Sequence, residues 1–555
     1  MSRIVGIDLG TSTSEIACIV DGVPKVIPNS LGKSITPSVV HIREDGSTLV
    51  GEEAAEYLFT RPECTFMEVK RLTGSGETLR AHGKDYSPEE VQAILLRYLA
   101  GCAETYLKEK IDRAVITVPA YFTDVQRRAT ARAGELAGLS VERIINEPTA
   151  AALDYGLVNL KECKNVLVYD LGGGTLDVTV LELFEGVLDV KASRGNNHLG
   201  GKDFDEIIMR NLTDFPGDER ALMRLKKAAE DCKIALSTGE SYQVSLPFLT
   251  TARDGKPVSL ERTVTRAEFE QWVRAKVVST REPMMTALAD SGLSAGDLNI
   301  VLLVGGSTRI PCVRKLVEES LSAAAHSLID PDLTVVRGAA IQAGLLDGSF
   351  TAADLILTDV CPYTLGVEVL HESFYEDKLL FDPIIPRNTT IPVEKSKVYY
   401  PVDDYQTVVQ IKAYQGDSSN PENNEYLGNV RLTGIPPAYR GKREPIEVTF
   451  AYDVNGILQV KAGVVSTGQK VSAEISTTGV KPKPLLDLTQ WEKAEGAKRF
   501  RPAIRKAEKL IAEEYDEDGD IEILIRQIKE ALLLHKGEQA ETLRDELLEL
   551  LEAMK

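Results

Sequence analysis

Two stretches of this chain repeat one plan. "IVGIDLGTSTSEIACIVDG", beginning at Ile4, and "VLVYDLGGGTLDVTVLEL", Val166 to Leu183, each run from an apolar strand into Asp-Leu-Gly. A turn of Gly, Thr and Ser comes next, then a second strand. The element after the turn decides its type. In dinucleotide-binding and Walker loops that element is a helix, and its N-terminus meets the phosphate. Here Leu176, Val178 and Val180 alternate with Asp177 and Thr179, so the element is a strand and Gly172–Thr175 is the turn of a hairpin. The only Walker-like trio, Gly32-Lys33-Ser34, lacks the earlier glycine, because Ile27 stands in its place. A single glycine turn is equally consistent with a purely structural bend. The doubling favours two related lobes that face each other.

Glycine lets backbone approach a ligand closely, and successive backbone amides in such a turn make an anion-binding concavity. Asp8 and Asp170 both end apolar strands, beside Thr11 and Thr175. Two carboxylates on facing turns suit a hydrated Mg²⁺, which prefers oxygen ligands and keeps several waters. Thr11, Ser12, Thr13 and Thr175 add hydroxyl donors for phosphate oxygens. The repeat therefore predicts a magnesium-nucleotide clamp between two lobes.

Length and charge limit the rest. At 555 residues the chain is too long for one core, and a prior of roughly 150 residues per domain gives about three or four units. A net charge of -20 with no basic block argues against nucleic acid and anionic membranes as partners. None of the seven cysteines is at CxxC spacing, which argues against a zinc-cysteine site and fits a reducing compartment. MSRIVGIDLG has no apolar signal core, and no run is long and apolar enough to span a bilayer. The expectation is a soluble, cytoplasmic protein.

Residues 1–350 alternate strand-like and helix-like segments, an α/β pattern. Thr123 and Gln126 have capping-box spacing at the start of one helix, and Gly138 is its predicted stop. A short apolar linker, with Leu355 to Leu357 between Asp354 and Asp359, occupies 351–360. Residues 361–480 read as strands and turns, with Asn455-Gly456 the clearest hairpin signal. "KPKPLL" marks a boundary. The charged tail, 485–555, is predicted to form an antiparallel helix pair broken at "YDEDGD", with Leu543, Leu547, Leu550, Leu551 and Met554 on one face.

Several ordered motifs carry a resemblance. "GIDLGTSTS", "VKRLTG", "VPAYFTDVQRRAT", "NEPTAAALDYG", "DLGGGTLDV", "HLGGKDFD", "AEDCKIALS", "LVGGSTRIPCV" and "VTFAYDVNGILQVKA" occur in sequence. The chain thereby resembles the heat shock protein 70 family of DnaK-type chaperones over about residues 4–475. "DVCPYTLGVEV", "FDPIIPRN" and the short tail look like the HscC-type branch. The resemblance implies a two-lobed, actin-like α/β ATPase domain, a β-sandwich peptide-binding domain and a short α-helical lid. It implies ATP-driven binding and release of extended apolar client segments, with ATP/ADP and Mg²⁺ as cofactors. A J-domain co-chaperone and a nucleotide exchange factor are the implied partners. The rival readings are a small-molecule kinase of the same superfamily and a nucleotide-gated interaction protein with little turnover.

Roles carry over position by position. Asp8, Asp170 and Glu147 match the residues that organise magnesium, Lys70 matches the catalytic lysine, and Thr175 and Asp177 match those that position the attacking water. Gly10, Thr11, Ser12, Thr13, Gly172, Gly173, Gly174, Gly200 and Gly201 match phosphate-loop positions. Glu230, Lys233, Ile234, Ser237, Gly305, Gly306, Ser307, Arg309 and Asp332 match the adenosine side. Ile234 stands where an arginine commonly stacks on adenine, and Thr13 replaces the usual Asn. Pro119 resembles a proline switch, Arg127 its relay and Asp359 the linker aspartate. The peptide groove maps to Val367, Leu370, Tyr400, Val402, Val409 and Ile411, with Tyr400 and Val402 bulkier than usual. Thr358 replaces a linker leucine, a lost apolar contact worth about 1–2 kcal/mol of docking.

Overall fold

The computed structural model describes residues 3–159, 164–184, 186–213, 218–251, 256–322, 326–327, 330–350, 356–371, 378–437, 442–468, 470–474, 488–494, 496–512, 520–533 and 536–553. The chain forms two compact units, Met1–Pro362 with Val454–Ile457 and Tyr363–Asp453 with Leu458–Lys555.

The first unit is built on the repeat. In its first half, Ile4–Leu9 pairs antiparallel with Thr13–Val20, which pairs antiparallel with Val23–Val26. On its other side Ile4–Leu9 takes Arg113–Val118 in parallel, followed by Ser140–Asn146. The second half has the same order. Lys164–Leu171 pairs antiparallel with Leu176–Phe184, which pairs antiparallel with Val187–Asn196. Its parallel neighbours are Ile300–Val304 and then His326–Ser327. The central strands are buried on both faces and rich in Val, Ile and Leu, as strands covered by helices require. Each half has its own apolar core, one around Ile7, Ile16, Leu96 and Ile116, the other around Tyr169, Phe204, Phe269 and Leu303.

The predicted capped helix is Asp124–Leu136. Thr123 Oγ1 accepts from the Gln126 amide, the Gln126 side chain accepts from the Thr123 amide, and Gly138 follows at φ 83°. The strand Ile356–Val360, in the predicted linker, pairs in parallel with Val187–Asn196 through Ile356, Leu357 and Thr358. The rest of the predicted linker, 351–355, lies outside the described residues.

The second unit has two four-stranded antiparallel sheets. One runs Lys378–Ile385, Leu365–His371, Val408–Gln415, Glu425–Thr433. The other runs Val393–Tyr399, Ile446–Tyr452, Leu458–Val464, Lys470–Glu474. Asn455-Gly456 lies in the turn between Ile446–Tyr452 and Leu458–Val464, with Gly456 at φ 71°. Among the described residues three α-helices complete the unit, Arg501–Ala512, Asp520–Leu533 and Gly537–Ala553, around Trp491, Phe500, Ile504, Ile525, Ile528, Leu543, Leu547 and Leu551. This corrects the expected helix pair. Asp520–Leu533 and Gly537–Ala553 are separate helices, and no acidic cluster like "YDEDGD" stands between them in the sequence. Met554 lies outside the described residues. The helices attach to the sandwich at its 416–424 loop. Arg526 donates to the Asp417 carbonyl at 2.8 Å and lies over the Phe381 ring, and Glu530 accepts from the Ser419 amide.

Candidate functional site

The two hairpins bring their carboxylates into matching registers. Asp8 is directly opposite Glu15 across the first, and Asp170 is directly opposite Asp177 across the second. The turns approach so closely that side chains are excluded. A Cβ on Gly173 would lie 2.3 Å from Ser12 Oγ, and one on Gly200 would lie 2.5 Å from the Gly174 nitrogen. The second turn is closed by the Gly172 amide donating to the Thr175 carbonyl at 3.1 Å. The loop is stitched to the helix Gly201–Leu212, whose Gly201 and Lys202 amides donate to the Gly172 and Gly173 carbonyls.

The acids are short of cations. Burial, then Glu147, pushes the Asp8 carboxyl up to about 7, against the opposing pull of Lys70 and a 2.7 Å hydrogen bond from Thr117 Oγ1. Burial and Glu147 likewise raise Asp177 to about 7. Asp170 is raised well above the carboxylate range by burial and by Glu147, Asp177 and Asp8. Asp177 Oδ1 accepts from the Tyr121 amide at 2.9 Å, whereas its Oδ2 is buried without a hydrogen-bond partner. Glu147 opens the helix Glu147–Asn159, and its Oε1 takes a hydrogen bond from buried Lys70 at 2.5 Å. Lys70 is the cation that acts on Asp8 and Asp170 and already holds Glu147, while Arg127 joins it at Asp177. The hard oxygen donors and the unpartnered Oδ2 therefore fit a divalent cation. Among the described residues no three acidic, His or Cys side chains converge tightly enough to chelate a metal directly.

A cavity of about 280 Å³ opens between the two halves. Thr11, Ser12, Thr13, Glu230 and Ile234 of the expected nucleotide residues line it, as do Phe59, Glu68, Lys202 and Lys226. Ile234 is 58% exposed, so this wall offers an aliphatic surface and no guanidinium. Burial works against the Glu230 carboxylate, but Lys202, Lys227 and Lys233 outweigh it and hold the group at about 2. Lys233, Ser237, Gly305, Gly306, Ser307, Arg309 and Asp332 do not line this cavity. Lys233 donates to the Gly201 carbonyl and pairs with Asp205, and Ser237 Oγ donates to the Lys233 carbonyl. Ser307 Oγ donates to the Gly172 carbonyl at 2.8 Å. Arg309 pairs with Asp332 at 2.7 Å, and a Cβ on Gly306 would be 3.6 Å from that aspartate. Gly305, at φ 82°, packs on the Leu171 carbonyl.

A hydrogen-bonded chain leads away from the acids. Pro119 begins a turn closed by the Phe122 amide donating to its carbonyl, and this turn presents the Tyr121 amide to Asp177. Buried Arg127 holds the turn by donating to the Ala120 and Phe122 carbonyls. Its Nη2 also donates to Asn146 Oδ1 at 2.7 Å, and Asn146 Nδ2 donates to Asp359 Oδ2 at 2.8 Å. Asn146 is the residue before Glu147. Asp359 is buried, which raises its carboxyl, and also accepts from Thr149 and from the Val360 amide. Sequence reasoning missed Asn146, Thr117 and Glu15. Only Glu15 had a local signal, since it follows Asp8 at the spacing by which Asp177 follows Asp170.

In the second unit all six predicted groove residues, Val367, Leu370, Tyr400, Val402, Val409 and Ile411, line one open cleft of about 470 Å³. Val367 and Ile411 are its buried floor, while Tyr400 and Val402 are exposed walls. Arg443 donates to Asp404 at 3.1 Å beside it.

A family model described as Hsp70 protein matches residues 4–546. The chain is 46% identical over 485 residues to the chaperone protein DnaK of Thermotoga petrophila, covering 85% of this chain and 80% of that protein. The DnaK proteins of Thermotoga maritima and Thermotoga neapolitana match with the same identity and coverage. With the family model running through both units, the chain belongs to the Hsp70 family.

Proposed function

We propose that this ATP-dependent Hsp70-family chaperone, an ATPase that binds client polypeptides, uses its facing hairpins as the Mg²⁺-nucleotide clamp and the Asp359 chain as its coupling route. Asp8, Asp170 and Glu147 would hold the hydrated cation, which supplies charge neutralisation for the phosphates when bound. Lys70 would stabilise charge developing on the transferred phosphoryl group. Asp177, fixed by the Tyr121 amide, and Thr175 would orient the attacking water. Gly10 to Thr13 and Gly172 to Gly174 would cradle phosphates, with Gly200 and Gly201 behind them. Glu230, Lys233, Ile234, Ser237, Gly305, Gly306, Ser307, Arg309 and Asp332 form the adenosine side.

The observation that carries the reading is the unbroken chain Asp177–Tyr121–Pro119 turn–Arg127–Asn146–Asp359. It joins the reacting end of the cleft to the linker strand. Extended apolar segments would lie in the groove over Val367 and Ile411, between Tyr400, Val402, Leu370 and Val409. We assign 1–350 as the ATPase domain, 351–360 as the linker, 361–480 as the peptide-binding domain and 485–555 as the lid, in a short HscC-type branch. A J-domain protein and an exchange factor are the expected partners, in the cytoplasm. Among the described residues no helix is long and apolar enough to cross a membrane. The test is ATP turnover with and without an apolar peptide and a J-domain protein. Stimulation in the wild type that disappears in Asn146→Ala is expected. Equal stimulation in both sinks the coupling route.

A further inference from the structure

Glu68 occupies a left-handed backbone conformation, φ 59°, at the entrance to the short turn Val69–Leu72 that carries Lys70 and Arg71. A side chain adopts that conformation only at a cost, so the surroundings must hold it. The groups that hold it lie on the opposite half of the cleft. Both Glu68 carboxylate oxygens are 3.3 Å from Lys226 Nζ, and Lys202 Nζ is 3.7 Å from Oε1. Lys202 is shared with Glu230, at 2.7 Å, so Glu68 joins the same ionic group as a residue of the nucleotide wall. Arg71 makes a second crossing, to Asp203 at 2.5 Å. Lys70, between them in sequence, turns to Glu147. Each half has a core of its own and the two share an apolar cluster that includes Ile4, Val115, Val168 and Leu302, while these pairs span the cavity that Glu68, Lys202 and Lys226 line. Separating the halves enough to release a bound molecule breaks the pairs.

We propose that Glu68 is a positioning residue that clasps the nucleotide cleft shut and, through the turn it shares with Lys70, makes nucleotide departure and loss of Lys70 alignment a single event. This rests on the nucleotide reading of the cavity. The clasp is ionic and half-buried, so it weakens with salt less steeply than a surface pair and more than a buried one.

The experiment uses the full chain and a fluorescent ADP, with release followed by stopped flow. Glu68→Asn removes the charge with a residue that tolerates the left-handed backbone. It should release ADP about 3- to 10-fold faster at low salt, the range of one partly buried ion pair, and the gap should narrow at high salt. Glu68→Lys should be faster still, and the exchange E68K with K226E should return release to within about two-fold of wild type. Glu135→Asn, which breaks an exposed pair on one helix, is the control and should change nothing. Single-turnover hydrolysis of bound ATP should slow in Glu68→Asn by a comparable factor. Release within two-fold of wild type in Glu68→Asn, or a charge exchange no slower than the single variants, overturns the clasp. Faster release with unchanged single-turnover hydrolysis overturns the link to Lys70. A wild-type chain that does not bind fluorescent ADP refutes the nucleotide reading itself.

Discussion

Thr358→Val tests how the linker stays seated. Thr358 replaces an expected leucine, yet the strand Ile356–Val360 pairs with Val187–Asp189 through Ile356, Leu357 and Thr358. The structure supplies a substitute for the lost apolar contact. Thr358 Oγ1 donates to Asp189 Oδ1 at 2.5 Å. Burial works against the Asp189 carboxylate, but hydrogen bonds from Lys191 and Thr358 outweigh it and keep the group ionised. A hydrogen bond to a charged acceptor contributes about 1.5–3 kcal/mol. Asp189 retains Lys191 after the substitution, and the site is half-exposed, so about 1–2 kcal/mol is the expected loss. Valine has the same shape, so packing is untouched. A loss of that size shifts the seated-to-free ratio by about 5- to 30-fold. The assay is limited proteolysis at the linker in the ATP state, alongside basal and peptide-stimulated turnover. Cleavage should quicken by that factor, and Asp189→Ala should match it. Equal cleavage in wild type and Thr358→Val refutes the reasoning. So does a Thr358→Leu variant seated more firmly than wild type, because it would show the hydroxyl to be a poor substitute.

Lys70→Ala should lower single-turnover hydrolysis by at least about a hundred-fold while leaving ADP binding within a few-fold, as expected for a group acting on developing charge; retained hydrolysis would remove Lys70 from the chemistry. Asp8 and Asp177, raised to about 7, stabilise the nucleotide-free fold fully below their unfolded values near pH 4, and that contribution is lost as pH rises through about 7. A magnesium nucleotide takes over from those protons, so the rise in Tm produced by Mg·ADP should grow from pH 6 to pH 8, and a constant rise would count against the cation site. Ile411→Asp places a charge on the groove floor, where Ile411 is 9% exposed; peptide affinity by fluorescence anisotropy should fall at least about ten-fold with basal turnover unchanged. Tyr400→Ser should instead widen the slot and favour bulkier peptide side chains, and unchanged selectivity would mean that Tyr400 does not bound it.

The parts legible in the sequence are those whose signals are local. The facing hairpins follow from Asp-Leu-Gly and strict alternation, whereas the groove residues came from the family resemblance, with Val367 and Leu370 on Leu365–His371 and Val409 and Ile411 on Val408–Gln415. The helix Asp124–Leu136 followed from its capping pair. Contacts between residues far apart in sequence left no such mark. Asn146 is unremarkable alone, Asp359 stood out only through the resemblance, and Glu68, Lys202, Lys226, Arg71 and Asp203 read as ordinary surface charges until folding sets them across a cleft. The third tail helix was hidden because it opens on Gly537, a residue type that far more often stands just past a helix end. Ile234 marks the opposite case, where a family expectation pointed at a position and the structure shows what stands there, an exposed aliphatic side chain beside Glu230 and Lys227.

The identical registers Asp8–Glu15 and Asp170–Asp177 give the cleft the character of a caliper. Each jaw presents its acid from a stiff two-stranded hairpin rooted in its own core, so neither jaw can yield without its sheet moving. An ion held between them, as proposed for Asp8, Asp170 and Glu147, would be gripped from both sides through its waters, and its radius would set the gap. Oxygen ligands stand about 2.0–2.1 Å from Mg²⁺ and about 2.3–2.6 Å from Ca²⁺. Exchanging one for the other would spread the jaws by roughly half an ångström or more, summed over both sides. Ionic size would thereby become a mechanical input to the chaperone, felt wherever the two halves meet.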